Sequence, residues 1–74
     1  MNVSIELHFI SNENKVMRRG EFPLRRKRPE EVAFEFWKQI KREMPFGGEL
    51  VRVKASGEDI TELVMELEKA PLED

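Results

Sequence analysis

Apolar and polar residues alternate strictly over residues 3–9, which is the clearest pattern in the chain. Val3, Ile5, Leu7 and Phe9 share one phase, and every residue between them is polar. A period of two places successive side chains on opposite faces of a β-strand. The pattern therefore predicts a strand with one face in a core and the other face exposed.

A second strand is predicted over residues 16–24, after a turn formed by the polar residues 11–14. Gly20 lies inside this strand and Pro23 lies near its end. Because proline donates no hydrogen bond to a sheet, we expect an edge position or a bulge here. The two strands are predicted to form a hairpin. Three apolar residues share the inward phase of the second strand: Val16, Phe22 and Leu24.

A helix is predicted to begin at Pro29, because proline suits the first position of a helix. The two glutamates that follow it interact favourably with the helix dipole. Pro45 and the glycine pair after it are expected to end the helix. Apolar residues recur at helical spacing between these limits: Val32, Ala33, Phe36, Trp37, Ile40 and Met44.

The segment 60–70 fits either a second helix or a fourth strand. Asp59 and Glu62 have the spacing of a capping box, and the segment is rich in helix-forming residues, so the helix is favoured. In the strand alternative, one face would carry Thr61, Leu63, Met65 and Leu67.

A short third strand is predicted over residues 50–55, with Val51, Val53 and Ala55 in one phase. The helical connection that precedes it should be a right-handed crossover. From this rule we predict a small α+β domain of β-β-α-β-α order, with a three-stranded mixed sheet in the order 2-1-3. The third strand would run parallel to the first, and both helices would cover the same face. The opposite face would show Ser4, Glu6, His8, Ile10, Met17, Arg19, Leu50, Arg52 and Lys54.

The composition limits the class of protein. A length of 74 residues corresponds to one domain, so residues 1–74 are predicted to fold as a single unit. Charged residues make up 38% of the chain and cysteine is missing, a composition typical of heat-stable proteins. The net charge of −2 gives no general attraction to nucleic acid or to an anionic membrane. No apolar run approaches the ~20 residues of a membrane span. We therefore predict a thermostable, cytoplasmic protein with no membrane partner.

Groups that carry out catalysis or bind metals are scarce in this sequence. His8 is the single histidine and there is no cysteine, so a histidine-based metal site or a thiolate nucleophile is excluded. Ser4 and Glu6 share the polar phase of the first strand with His8, but next-but-one residues of a strand lie ~6.5 to 7 Å apart. We predict that the protein is not an enzyme and uses neither a metal nor a cofactor.

A basic segment precedes the first predicted helix. Six of the 13 cations lie within eleven residues, where Glu21 is the one acidic residue. Cations oppose the dipole at a helix N-terminus, whereas a phosphate group would be attracted to them. The segment is therefore a candidate site for nucleic acid or another polyanion. Its candidate contact residues are Arg18, Arg19, Arg25, Arg26, Lys27 and Arg28.

Two aromatic residues of the first helix suggest another function. Phe34 lies well outside the apolar stripe and is predicted to be exposed, and Trp37 lies at the edge of the stripe. Aromatic side chains are enriched among the residues that dominate protein interfaces. The preferred interpretation is a small protein-interaction module, whose contact residues Phe34 and Trp37 bind an unknown partner or a second copy. Polyanion binding is the alternative.

Overall fold

The computed structural model describes residues 1–44 and 48–69. Pro45 and Gly47, which the sequence assigns to the end of the first helix, lie outside the described residues. None of the helices within these two ranges is long and apolar enough to cross a membrane. The elements follow in the order β1 (Asn2–Ser11), β2 (Asn14–Pro23), α1 (Pro29–Arg42), β3 (Glu49–Ala55), β4 (Glu58–Asp59) and α2 (Thr61–Lys69).

The sheet has the strand order β2-β1-β3-β4, with β1 in a central position as predicted. All three pairs of neighbouring strands are antiparallel. The prediction that β3 runs parallel to β1 in a mixed sheet was wrong. The helical crossover joins β2 to β3, so its handedness relates those two strands to each other. The crossover makes β2 and β3 parallel to each other. Because β1 lies between them and is antiparallel to β2, it is antiparallel to β3 as well.

Tight turns close both hairpins. Asn12 and Glu13 connect β1 to β2, and both have positive φ angles (54° and 68°), as in a type I′ turn. Ser56 and Gly57 connect β3 to β4, with φ angles of 51° and 88°. The second turn adds the two-residue strand β4, so the sheet has four strands where three were predicted.

A β-bulge interrupts the pairing of β1 with β3. His8 lies opposite Arg52, whereas Phe9 lies opposite Leu50, so Val51 is an extra residue without its own partner on β1. Because one inserted residue inverts the phase of the side chains, Leu50 is buried (7% exposed) and Val51 is turned outward (49% exposed). The predicted places of these two residues, which assumed unbroken alternation, were wrong.

The core lies between one face of the sheet and the two helices. The apolar phase of β1 is buried as predicted, and so is most of the stripe of α1. The rings of Phe9 and Trp37 meet at a centroid distance of 5.1 Å. The buried residues are Val3, Ile5, Leu7, Phe9, Val32, Ala33, Trp37, Ile40, Leu50, Val53, Ala55, Ile60 and Val64.

Segment 61–69 forms the helix α2, which confirms the favoured interpretation. The hydroxyl of Thr61 accepts a hydrogen bond from the amide of Val53 (2.9 Å) and so ties the start of α2 to β3. Oδ1 of Asp59 accepts hydrogen bonds from the amide of Thr61 (2.9 Å) and from its hydroxyl. The hydroxyl contact is the main reason that the pKa of Asp59 lies below its usual value. Val64 of α2 is buried, whereas Leu63 beside it is 46% exposed.

Candidate functional site

Within residues 1–44 and 48–69, one face of the sheet is covered by helices and the other face is not covered by any element. Both helices pack on the side that carries the buried residues of β1, as predicted. We call the other side the open face. The alternation and pairing of β1, β2 and β3 place on it Ser4, Glu6, His8, Ile10, Lys15, Met17, Arg19, Glu21, Val51, Arg52 and Lys54.

A depression of about 390 Å³ lies on the open face, across the three long strands. Met17 from β2 and Val51 from β3 line it, and they are 51% and 49% exposed. Ile10 of β1 adds a third apolar side chain, half-buried. The sequence placed Met17 and Ile10 on this face but missed Val51, because nothing in the chain indicates the bulge.

A hydrogen-bonded pair of polar side chains lies in the same depression. Nε2 of His8 donates a hydrogen bond to Oε2 of Glu6 (2.6 Å), and Arg19 contacts the other carboxylate oxygen (3.3 Å). The bond from His8, and less strongly the one from Arg19, hold the pKa of Glu6 below its usual value. Glu6 and His8 are next-but-one residues of β1, but their side chains extend far enough to form this hydrogen bond. Both carboxylate oxygens of Glu6 therefore already have a hydrogen-bond donor within the chain.

Cations dominate the remainder of the depression. Lys15, Arg52 and Lys54 line it, while Glu6 is the one acidic side chain among the described residues that line it. Arg52 lies 4.0 Å from Asp59 of β4. Neither Lys15 nor Lys54 forms an ion pair with any residue in the described ranges. Two free ammonium groups therefore flank a half-exposed apolar surface, and this combination suits a ligand with both carboxylate and apolar groups.

The described residues contain no group of three or more potential metal-ligating side chains. His8, the residue best suited to acid–base chemistry, is engaged with Glu6 on the open face of the central strand β1. The backbone of Ser4 contacts Ser56 of the neighbouring turn, with 3.4 Å between its amide and Oγ of Ser56. The prediction that the chain is not an enzyme stays a prediction.

The structure does not bring the six basic residues into one patch. Arg18 and Arg19 are consecutive in β2, so their side chains lie on opposite faces of the sheet. Lys27 pairs with Glu35 (2.6 Å), Arg28 approaches Glu30 (3.9 Å), and Arg19 is held by Glu6. Three members form no ion pair with the described residues: Arg18, Arg25 and Arg26.

Of the two predicted interface residues, Trp37 is buried and Phe34 is half-buried. Trp37 is 0% exposed, and its Nε1 donates a hydrogen bond to Oε2 of Glu68 in α2 (2.9 Å). Phe34 is half-buried against the core, with Nζ of Lys38 5.1 Å from its ring centroid, so the prediction that it is exposed was wrong. Because α1 contacts both the sheet and α2, its buried surface is wider than a stripe that faces one neighbour.

Comparison with known proteins gives no further assignment. No protein-family model matches the chain, and no curated protein or solved structure is significantly similar to it. Its function has to be inferred from its own surface.

Proposed function

We propose that the chain is a non-enzymatic module that binds another protein through the open face. The observation that carries this proposal is the bulge in β3, which turns Val51 outward beside the depression that Met17 also lines. Bulges often redirect a side chain toward a binding site. A β-branched apolar residue that is half-exposed at such a position gains stability when a partner covers it.

The charges around this apolar surface indicate the chemistry of the partner. Lys15 and Lys54 have no ion partners among the described residues, and the carboxylate of Glu6 already accepts hydrogen bonds from His8 and Arg19. The face therefore favours a partner segment with an apolar side chain between carboxylates. Such complementarity contributes mainly to the rate of association and to specificity, while the apolar contact contributes most of the affinity.

The test is affinity capture from native lysate treated with nuclease. The variant Met17→Gln/Val51→Thr keeps the shape of both side chains but removes their apolar character. Leu63→Gln is the matched control, because Leu63 is a comparably exposed apolar residue on α2. We expect the wild type and the control to retain the same protein, and the double variant to retain at least about tenfold less, as when about 1.4 kcal/mol is lost. Equal retention by the double variant would contradict the proposal.

Polyanion binding is a second candidate, favoured by Arg18, Arg25 and Arg26, which have no ion pair among the described residues. If these three meet phosphates of duplex DNA, log Kd against log salt should have a slope of magnitude about 2.7, or three times 0.9. When the capture experiment is repeated with lysate that has not been treated with nuclease, polyanion binding predicts that the wild type retains nucleic acid. That binding would be lost when the three arginines are replaced by glutamine.

A further inference from the structure

The strand β2 is a long edge strand of the sheet, with no second neighbour in the part of the chain that the structure describes. It is ten residues long and pairs with β1 on one side, whereas the opposite edge of the sheet, β4, has only two residues. The amide of Leu24 donates to the carbonyl of Met1 (3.0 Å), which makes these two residues a hydrogen-bonded pair. Bonded and non-bonded pairs alternate along an antiparallel ladder. The bonded residues of β2 are therefore the even-numbered ones.

The odd-numbered residues of β2 point their backbone groups away from β1. These residues are Lys15, Met17, Arg19 and Glu21, and none of their amides or carbonyls bonds to another described residue outside the ladder. They present four N–H and four C=O groups in a row. Such an edge can accept another strand. Pro23, which has no N–H, follows directly and marks the end of this row.

We propose that a second copy of the chain pairs antiparallel along β2, with the two-fold axis beside Gly20, and joins two sheets into one of eight strands. A two-fold axis makes the contact self-complementary, because each residue pair occurs twice. This inference goes beyond the function proposed above, since the pairing uses the edge of the sheet and leaves the open face uncovered.

The order of charges along β2 selects this register. A two-fold axis at residue 18, 19 or 21 would place Arg18, Arg19 or Glu21 directly against its own copy. An axis at Met17 would place Lys15 against Arg19 of the second copy. Like charges at directly opposed positions destabilise a strand pair. The central charges of β2 thus disfavour registers with the axis at residue 17, 18, 19 or 21.

An axis at Gly20 gives complementary pairs. Arg19 lies opposite Glu21 of the second copy, where it also keeps its contact with Glu6. Arg18 lies opposite the ring of Phe22, an arrangement that suits a cation–π contact. The half-buried residues Val16 and Leu24 oppose each other and become covered. Gly20 itself has no side chain where the two backbones approach most closely.

The test is sedimentation equilibrium of the full chain at increasing concentration. The wild type is expected to approach twice the 8.8 kDa mass of one chain. Arg19→Glu and Glu21→Arg should each raise the dissociation constant at least about tenfold, because each places like charges at two symmetric positions. The combined charge reversal should restore most of the affinity. Glu66→Arg, on α2 and away from β2, is the control for Glu21→Arg, because it makes the same change of charge. This control should sediment with the same mass as the wild type at each concentration.

Amide hydrogen exchange provides a second readout that needs no variant. The amides of Met17, Arg19 and Glu21 should become protected as the wild-type concentration rises, whereas the amide of Lys54 should not change. A wild type that stays monomeric at about 1 mM would overturn the proposal. A dimer whose mass and exchange pattern are insensitive to Arg19→Glu and Glu21→Arg would overturn it as well.

Discussion

Replacing Leu7 by alanine is expected to lower the free energy of unfolding by about 2 to 5 kcal/mol. Leu7 is 0% exposed in the central strand, where it lies opposite Val53 of β3. Truncation removes apolar contacts and leaves a cavity that the surrounding sheet and helices cannot fill completely. A domain of this size has only about 5 to 15 kcal/mol of stability, so the loss is a large part of the total.

Urea denaturation followed by circular dichroism measures this effect. Met17→Ala is the matched control, because it shortens an apolar side chain of the neighbouring strand that is 51% exposed. Its free energy of unfolding should change by no more than about 0.5 kcal/mol. An unchanged midpoint for Leu7→Ala would place this residue outside the core and would contradict the described packing.

Replacing Trp37 by alanine is expected to cost about 3 to 5 kcal/mol of unfolding free energy. This ring is the largest fully buried side chain, and it contacts Phe9 of β1. It also links the helices, since its Nε1 donates to Glu68 of α2 (2.9 Å). Loss of the ring therefore opens a cavity and removes a hydrogen bond between α1 and α2. Trp37→Phe keeps most of the volume and should cost less than the alanine variant.

Fluorescence provides an independent readout of this residue, because the chain contains a single tryptophan. Its emission should be blue-shifted in the native protein and poorly quenched by iodide. Phe34→Ala is the control on the same helix: Phe34 is half-buried, so its truncation should cost less than that of Trp37. Native emission at the wavelength of free tryptophan, or a Trp37→Ala variant as stable as the wild type, would refute the buried position.

Local patterns predicted the elements of this fold well. The alternation in β1 and the stripe in α1 arise because each element buries one side, and a residue's own neighbours in sequence reveal which side that is. The direction of β3 was wrong because the crossover rule was applied to β1, which the crossover does not join. The additional strand β4 arises from the turn at Ser56 and Gly57, after which Glu58 and Asp59 pair with β3, and this pairing was not predicted.

The candidate site was less predictable than the fold. Most residues of the open face follow from the alternation of β1 and β2. Val51 does not, because a bulge depends on how β3 fits against β1 and on the burial of Leu50. The contact between Glu6 and His8 depends on side-chain rotamers, which a count along the strand does not include. Trp37 was placed at an interface because the contact between α1 and α2 is not visible in the sequence.

Methyl-detected NMR with a soluble paramagnetic agent tests most directly whether the bulge turns Val51 onto the open face. The structure predicts strongly enhanced relaxation for the methyl groups of Met17 and Val51, which are about half-exposed. The methyl groups of Leu50 and Val53, 7% and 0% exposed, should be little affected. Strong enhancement at Leu50 together with protection at Val51 would show unbroken alternation in β3, and would contradict both the bulge and the binding surface that depends on it.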